Sequence, residues 1–473
     1  MDWLRRRPRL WPALRAAGAS AIVAVAFAIS AANVAHGKFA MGDFKAFYCS
    51  GYVLAHGGDP YLAAPLARCE SMREPNPLFF TTKGEVLPAP LPGYAVAAFV
   101  PLSLLPFPLA ALVWLTLLAA ATFGAIVLLA QIRVASVELL AVTLALILVG
   151  VCFPVGELPP IALFGIALAA WSASRGRPWP AAMGIALTFF EPQVGAAMLV
   201  AALALGRRFA LAALVGACAL GVASLLAVGV ADTIQYLQVI VPAHLASELP
   251  SVLQYSLSAV LYQLGVAPAV ATLGGRLSWL VMLGVAYVFA RSKPAHARPE
   301  LAFLAAPAFV AVGGQFLHLD HIALAVPAAL WIASNTALRS WLRIAVVSAL
   351  SLPVLYIFSI FELTLLVPLI AAWIGGSLSR RPIDALRTIA VVVAVMLVLG
   401  ALAAASGTGA MHSAPPVPLP ADIAQASWAR YIAQQHVMTG WSVWLVKAPI
   451  WFGVIAAAAG FLSLARGRVA FAS

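Results

Sequence analysis

The 473-residue sequence contains few charged residues, since Asp, Glu, Lys and Arg together make up only 9% of it. A soluble globular domain carries about 25% of these residues, so the scarcity of charge argues against a soluble protein. Hydrophobic residues account for 63% of the chain, and the mean hydropathy is +1.00. Because lipid offers no water to the backbone, long apolar runs must fold as helices. The composition therefore predicts an all-α, polytopic integral membrane protein.

The sequence also lacks the motifs of several enzyme classes, because it has no Walker loop, no dinucleotide fingerprint and no nucleophile elbow. A nucleotide-using cytoplasmic enzyme is therefore not expected. Only four cysteines occur, and none has the spacing of a metal ligand. Cys49 and Cys69 lie in one predicted loop, where a disulfide can form if the loop is outside the cytoplasm. We expect neither a metal ion nor another cofactor.

The net charge of +12 lies largely in short loops beside apolar runs, where it indicates topology by the positive-inside rule. No basic stripe with interleaved aromatic residues occurs, so we expect no nucleic-acid partner. Some of these basic side chains are expected to contact the phosphates of membrane lipids. Five arginines within residues 1–15 predict a cytoplasmic N-terminus. The apolar run 16–36 then predicts a retained first helix, and the loop after it is expected to be extracytoplasmic.

The apolar runs predict a single transmembrane domain over residues 1–473, with about 11–13 spans of roughly 20 residues each. Two long extracytoplasmic loops are expected, the first loop over residues 37–88 and the late loop over residues 407–440. Within the first loop, the spacing of apolar residues predicts a short helix over 44–56 that lies along the membrane surface. Within the late loop, an amphipathic helix is predicted over 422–436.

Three segments between these loops are less regular. Residues 89–105 are interrupted by prolines, which predicts a kinked or re-entrant segment. Residues 181–205 fit either one helix kinked at Pro192 or a hairpin. Residues 231–255 carry several polar side chains and are predicted to form a polar loop.

Asp43 is the most prominent candidate for chemistry, because it follows the first predicted helix and lies among aromatic residues. A carboxylate at the water-facing edge of a membrane cavity can stay ionised and act as a general base. The competing interpretation is a solvated loop carboxylate. Lys45 is a candidate ligand for a phosphate. The alternative interpretation is that Lys45 lies at the membrane interface and only extends its ammonium group to water.

Glu157 and Glu191 lie within apolar hairpins beside prolines, where a charge is costly and marks a cavity. The alternatives are a protonated carboxyl group or one at headgroup depth. His318, Asp320 and His321 cluster at the end of a predicted helix. Histidines three residues apart share a helix face, as in some metal sites. A metal site is one interpretation of this cluster. Binding a phosphate or steering a substrate is a second and more economical one, and the third is that these residues only cap the helix at the membrane interface.

A series of motifs follows the first predicted helix in a fixed order. These motifs are Asp43-Phe44-x-x-Phe47-Tyr48, Gly57-Gly58-Asp59-Pro60-Tyr61, Pro101-Leu102-x-x-Leu105-Pro106, Gly156-Glu157, Arg175-Gly176-Arg177-Pro178, Glu191-Pro192, Gln254-x-Ser256-Leu257 and Asp320-His321. Their order resembles glycosyltransferase family 87, a family of polytopic GT-C-type enzymes that includes polyprenol-phosphate-mannose-dependent α-mannosyltransferases. The resemblance extends over residues 16–334.

This resemblance implies a polyprenyl-phosphate-linked sugar as donor and a lipid or glycan of the cell envelope as acceptor. It implies inverting transfer of a hexose such as mannose, at an active site on the periplasmic or extracytoplasmic face of the inner (plasma) membrane. Asp43 would be the catalytic base. The candidate residues for the donor phosphate and substrate are Lys45, Tyr48, Glu157, Gln254, His318, Asp320 and His321.

Two positions depart from the family pattern. This chain has Gly156-Glu157 where members often have Gly-Gln, and Glu191-Pro192 where many have Lys-Pro. At the second position, a glutamate (Glu191) in place of a lysine removes a potential contact to a phosphate. The competing functional interpretation is a lipid-linked-glycan transporter or flippase, or a non-catalytic assembly partner on the same scaffold. A ligase or polymerase that joins preassembled glycans is the third.

Overall fold

A computed structural model describes residues 16–25, 27–28, 41–73, 84–251, 253–336, 340–351, 370, 373–378, 390, 394, 418–434 and 444–467. These residues form helices and, apart from two isolated bridges, no strand pairing. The all-α prediction is therefore confirmed for this part of the chain. The helices are α1 (Ala16–Val25), α2 (Gly42–Ala55), α3 (Ala63–Arg73), α4 (Gly93–Ser103), α5 (Phe107–Gln131), α6 (Val137–Val155), α7 (Pro159–Ala173), α8 (Pro178–Thr188), α9 (Pro192–Leu205), α10 (Arg207–Glu248), α11 (Leu257–Gln263), α12 (Pro268–Ala290), α13 (Lys293–Ala297), α14 (Glu300–Gly313), α15 (Val326–Asn335), α16 (Ser340–Ser351), α17 (Ala424–Gln434) and α18 (Trp444–Ala465).

Five of the described helices are long and apolar enough to cross a membrane, by length and composition. They are α5, α6, α10, α12 and the Lys447–Ala465 part of α18. Several shorter apolar helices, among them α4, α7, α9 and α14, pack between them. The chain is thus a multi-pass membrane protein. The predicted spans over 363–374 and 389–405 lie mostly outside the described residues, so the number of 11–13 crossings stays a prediction.

The centre of the molecule is α14, which is buried along nearly its whole length. A helix that is apolar on every side must pack inside the protein. The chain leaves α14, forms a 3₁₀ turn at Asp320–Ala325 and enters the equally buried α15. Because both flanking helices are fixed in the core, the connection between them, which carries His318 and His321, is held in place.

Helix α2 confirms the helix predicted over 44–56, and the structure shows that the protein encloses it, whereas its predicted place along the membrane surface stays a prediction. Most of α2 is buried, and the Phe44 ring packs 5.5 Å from Phe107 and 5.9 Å from Trp114 between ring centroids. Apolar and aromatic residues occupy nearly every side of this helix, so burial removes more apolar surface from water than an interfacial position would. A disulfide between Cys49 and Cys69 joins α2 to α3.

The polar loop predicted over 231–255 is also wrong, because α10 continues as a helix to Glu248. Gly229 interrupts α10 once, with φ of 82°, and the helix resumes. Beyond it, Tyr236, Ile240 and Ala243 are buried at helical spacing. Of the polar residues that suggested a loop, His244 and Glu248 line the site described below, whereas Asp232 does not.

The two segments left open by the sequence are now defined. Residues 181–205 form two helices, α8 and α9, separated at Phe189–Glu191. The proline-interrupted segment contributes only the 11-residue helix α4. At 1.5 Å per residue, such a helix covers about half of a bilayer's hydrocarbon core, so it is not a full span.

The amphipathic helix of the late loop is confirmed as α17, and it docks on the first loop. The Val86 N–H donates to Ser427 Oγ at 2.7 Å, and Arg430 pairs with Glu85 at 3.0 Å. The described parts of the two loops that are in contact, residues 85–86 and α17, therefore pack together as one layer.

Candidate functional site

A cavity of about 230 Å³ lies beneath this layer. Seven ionisable side chains of the acidic and histidine types line it, together with aromatic and aliphatic residues. The ionisable ones are Asp43, Glu157, Glu191, His244, Glu248, His318 and His321. No lysine or arginine lines it among the residues that the structure describes. A concave site with convergent polar groups and apolar walls is the usual form of a small-molecule site.

Asp43 lies in the first turn of α2, where the chain is anchored to the end of α6 by a hydrogen bond from the Met41 N–H to the Pro154 carbonyl at 2.7 Å. Its carboxyl group reaches the cavity and hydrogen-bonds with that of Glu157. Burial raises the pKa of Asp43 to about 7, although the nearby His318 acts in the opposite direction. A base whose pKa lies near the working pH combines a useful ionised fraction with a real affinity for the proton.

Glu157 is placed beside Asp43 by the unusual backbone of Gly156, which has φ of 82°. A Cβ on Gly156 would lie 2.5 Å from the Phe44 Cβ, so only glycine allows this approach to α2. The Trp114 indole N–H donates to the Gly156 carbonyl at 2.8 Å and fixes the turn. Burial, and after it the charge of Asp43, raise the pKa of Glu157 well above its usual range.

His318 has a carboxylate at each ring nitrogen. Nε2 lies 3.3 Å from Glu248 and Nδ1 lies 3.3 Å from Asp320. Burial alone would lower the pKa of His318, but these two carboxylates raise it well above its ordinary value. The two carboxylates therefore favour the imidazolium form of His318, which gives the cavity a cationic side chain.

His321 faces a different carboxylate, with its Nε2 2.6 Å from Glu191 Oε2. The backbone N–H of His318 donates to Nδ1 of His321 at 3.0 Å, so Nε2 carries the ring proton and donates it to Glu191. Gln193 donates to the same carboxylate at 3.1 Å. Glu191 thus orients His321 within the cavity wall.

The structure places four of the sequence-predicted site residues outside the cavity lining. Lys45 is buried, with its ammonium 4.0 Å from the Glu70 carboxylate, because residues two apart in a helix face different directions and Asp43 occupies the cavity side. The Tyr48 hydroxyl donates to the Leu105 carbonyl at 2.8 Å. Gln254 accepts a hydrogen bond from the Leu317 N–H at 3.3 Å, next to the histidine turn. Asp320 is buried behind the two histidines.

Glu248 and Trp428 were not predicted as site residues, yet both line the cavity. The Trp428 indole N–H of α17 donates to Glu248 Oε1, while Glu248 Oε2 faces His318. Glu248 lies in the segment predicted as a loop, and Trp428 lies on a helix whose partner cannot be deduced from its own sequence. Within the described residues, no three His, Cys, Asp or Glu side chains are arranged to hold a metal ion.

Comparison with known protein families gives a match. Residues 92–317 match the model of glycosyltransferase family 87, and no curated protein and no solved structure matches the chain. The matched region includes Glu157, Glu191 and Glu248, whereas Asp43 precedes it and His318 directly follows it. The match confirms the resemblance seen in the motifs, and it identifies residues 92–317 as the glycosyltransferase family 87 region of a multi-pass membrane protein.

Proposed function

We propose that the protein transfers a hexose, such as mannose, from a polyprenyl-phosphate-linked donor to a lipid or glycan acceptor, with inversion at the anomeric carbon. One observation carries this proposal: Asp43 and His318 line the same cavity, the first as a carboxyl group that titrates near neutral pH and the second as an imidazolium. An inverting transfer needs a base for the acceptor and a positive group for the departing phosphate.

In this mechanism Asp43 takes the proton of the acceptor hydroxyl while the acceptor oxygen attacks the anomeric carbon. The bond between that carbon and the donor phosphate breaks, and its electron pair leaves with the phosphate. The phosphate gains negative charge, which His318 stabilises. The Nε2 contact to Glu248, at 3.3 Å, is longer than the roughly 2.7–2.9 Å of a strong charge-assisted bond, so the donor phosphate can replace Glu248 there.

The isoprenoid chain of the donor needs an apolar route out of the cavity. Val241 and Leu245 of α10 and Trp279 of α12 line the cavity, and these two helices pack against each other beside it. Their outward faces are apolar, with Leu237 62% and Leu280 56% exposed. Lipid-facing helices that contribute apolar side chains to the cavity wall, here Val241, Leu245 and Trp279, suit an isoprenoid that leaves between them.

The disulfide supports an extracytoplasmic site. Structural disulfides persist in oxidising compartments and are rare in the cytosol. Cys49 lies in α2, one and a half turns beyond Asp43, so the bond and the base share one face of the membrane. The arginines of residues 1–15 predict the same orientation, because they retain the N-terminus in the cytoplasm.

The test is sugar transfer in membranes, with radiolabelled polyprenyl-phosphate hexoses as donors. Native protein and the Asp43→Asn variant are compared at matched expression, with Asp59→Asn as the control for loss of a first-loop carboxylate that does not line the cavity. We expect Asp43→Asn to lose transfer by orders of magnitude and to retain donor binding, while Asp59→Asn stays active.

Other results would redirect the proposal. Equal transfer by native protein and Asp43→Asn would retain the enzyme class and move the base to another carboxyl. Binding of the lipid donor without transfer by either protein would favour the transporter or assembly-partner function.

A further inference from the structure

The carboxyl groups around the cavity outnumber the basic groups that can neutralise them. Glu248 and Asp320 flank His318, and Glu191 faces His321. Asp43 and Glu157 hydrogen-bond with each other, and neither forms an ion pair among the described residues. Two buried carboxylates in contact repel strongly, so such a pair retains one proton between them.

The hydrogen bonds of Glu157 indicate which of the two holds that proton. One of its oxygens, Oε2, accepts the Leu158 N–H at 2.8 Å, so the other oxygen is the one that can carry the proton toward Asp43. Asp43 has His318 within electrostatic range, which favours the ionised form, whereas the charges that act most strongly on Glu157 are those of other acids. The titratable groups around Glu157 are Asp43 from α2, Asp320 from the 3₁₀ turn, Glu191 from the start of α9 and the Cys152 thiol from α6.

We propose that Glu157 is the positioning residue of the base: it stays protonated at neutral pH and donates its proton as a hydrogen bond to the Asp43 carboxylate. This inference deepens the proposed function and rests on it for the part that concerns transfer. The rigid turn at Gly156 supplies the geometry, since it brings the Gly156 backbone against Phe44 in the first turn of α2 and so places the next residue, Glu157, beside Asp43. The raised pKa of Glu157 agrees with a carboxyl group that remains neutral.

The arrangement has a defined role in the transfer step. The bond from Glu157 occupies one oxygen of Asp43 and leaves the other for the acceptor hydroxyl. When Asp43 takes the acceptor proton, Glu157 keeps its own, so both carboxyls are neutral until Asp43 releases its proton to water. Glu157 therefore orients Asp43 and holds its proton affinity down, without itself exchanging a proton in the step.

The test compares two substitutions of similar size in the full-length protein. Glu157→Gln retains an acceptor for Leu158 and an N–H donor for Asp43, whereas Glu157→Met has no donor. We expect the Gln variant to keep at least half of the native transfer rate, with the acid limb of its pH profile within about 0.3 units of the native one. The Met variant should lose about tenfold, the effect of one hydrogen bond to a charged group, and its acid limb should move about one unit higher.

Both variants are compared with the native protein by thermal unfolding, so that loss of fold is separated from loss of orientation. If the Gln and Met variants lose activity equally, or if Met equals the native protein, the proposal is overturned. The pH profile is informative because a residue with a merely structural role would change the rate at every pH alike.

A second measurement needs no sugar donor. Infrared difference spectra of purified native protein and Glu157→Gln at pH 7.5 should show the C=O band of a buried protonated carboxylic acid in the native protein only, with a shift in D₂O. Absence of that band from the difference overturns the proposal. Because the band is read in the resting protein, it tests Glu157 even if no hexose is transferred.

Discussion

Substituting His318 by glutamine should lower sugar transfer by about 100-fold at pH 7.5. Glutamine retains hydrogen-bonding capacity at this position and removes the positive charge. The donor phosphate is already negative in the ground state and gains a further charge as the glycosidic bond breaks, so His318 should act mainly on kcat and less on the KM for the donor.

The magnitude follows from the surroundings of the ring. Removing one preorganised donor to a developing oxyanion costs about 2.7–4 kcal/mol, or roughly 10²–10³ in rate. Glu248 and Asp320, each 3.3 Å from a ring nitrogen, cancel part of the field of His318 at the phosphate. The lower end of the range, about 100-fold, is therefore the expected loss.

The assay is initial-rate transfer with a radiolabelled donor in detergent or nanodiscs, with the donor concentration varied. His56→Gln is the matched control, because His56 is an exposed histidine at the end of α2 that does not line the cavity. The two variants should unfold at similar temperatures. A His318→Gln enzyme within threefold of the native kcat, with the native KM, would refute the role of the imidazolium.

Three further predictions concern the first loop and the turn beside it. Because the pKa of Asp43 is about 7 and the base acts when ionised, transfer at limiting donor should rise about eightfold from pH 5.5 to 6.5 and level off above pH 8; a flat pH series would contradict this. Gly156→Ala should destabilise the protein by more than the roughly 1–2 kcal/mol of a left-handed alanine, since its Cβ would also meet α2 at 2.5 Å. Gly57→Ala, at φ of 72° with nothing within 4 Å, is the control in thermal unfolding, and equal losses would count against the packing argument. Cys49→Ser should lower the free energy of unfolding by about 2–4 kcal/mol, and reductant should bring the native protein to the same level; a variant as stable as the oxidised native protein would show that the bond to Cys69 contributes nothing.

Helix positions were largely predictable from the sequence, but the environment of a helix was not. The apolar spacing in residues 44–56 correctly predicts a helix, and the same spacing suits an interface or a protein interior equally well. What decides between them is the set of aromatic partners of Phe44, which come from α4 and α5. These partners lie far along the chain, and no local signal specifies them.

Polar residues in apolar surroundings gave the best indication of the site. Glu157 and Glu191 were singled out because charge is costly within apolar hairpins, Asp43 for its place after the first helix, and His318 and His321 for their clustering. All five line one cavity. The same reasoning gave a wrong prediction for residues 231–255, where several polar residues suggested a loop but α10 continues to Glu248.

The pairing of the site residues could not be predicted from the sequence. Glu191 and His321 are 130 residues apart, and neither carries a local sign of the other. Such pairs arise from the packing of whole helices. Sequence reasoning therefore supplied the residue types of the site, and only the fold supplied which acid faces which base.

The docking of the late loop on the first loop sets an order for biosynthesis. Val86 and Ser427 are 341 residues apart, and Arg430 lies 345 residues after its partner Glu85. Contacts of such long range form late, because closing a long chain segment is entropically unfavourable until both ends are anchored. During insertion, the ribosome must deliver most of the helices before Trp428 can reach the cavity. In a nascent or truncated chain, Asp43 is therefore present without the Trp428 side of the cavity. The complete cavity forms only after the last tenth of the polypeptide has been synthesised.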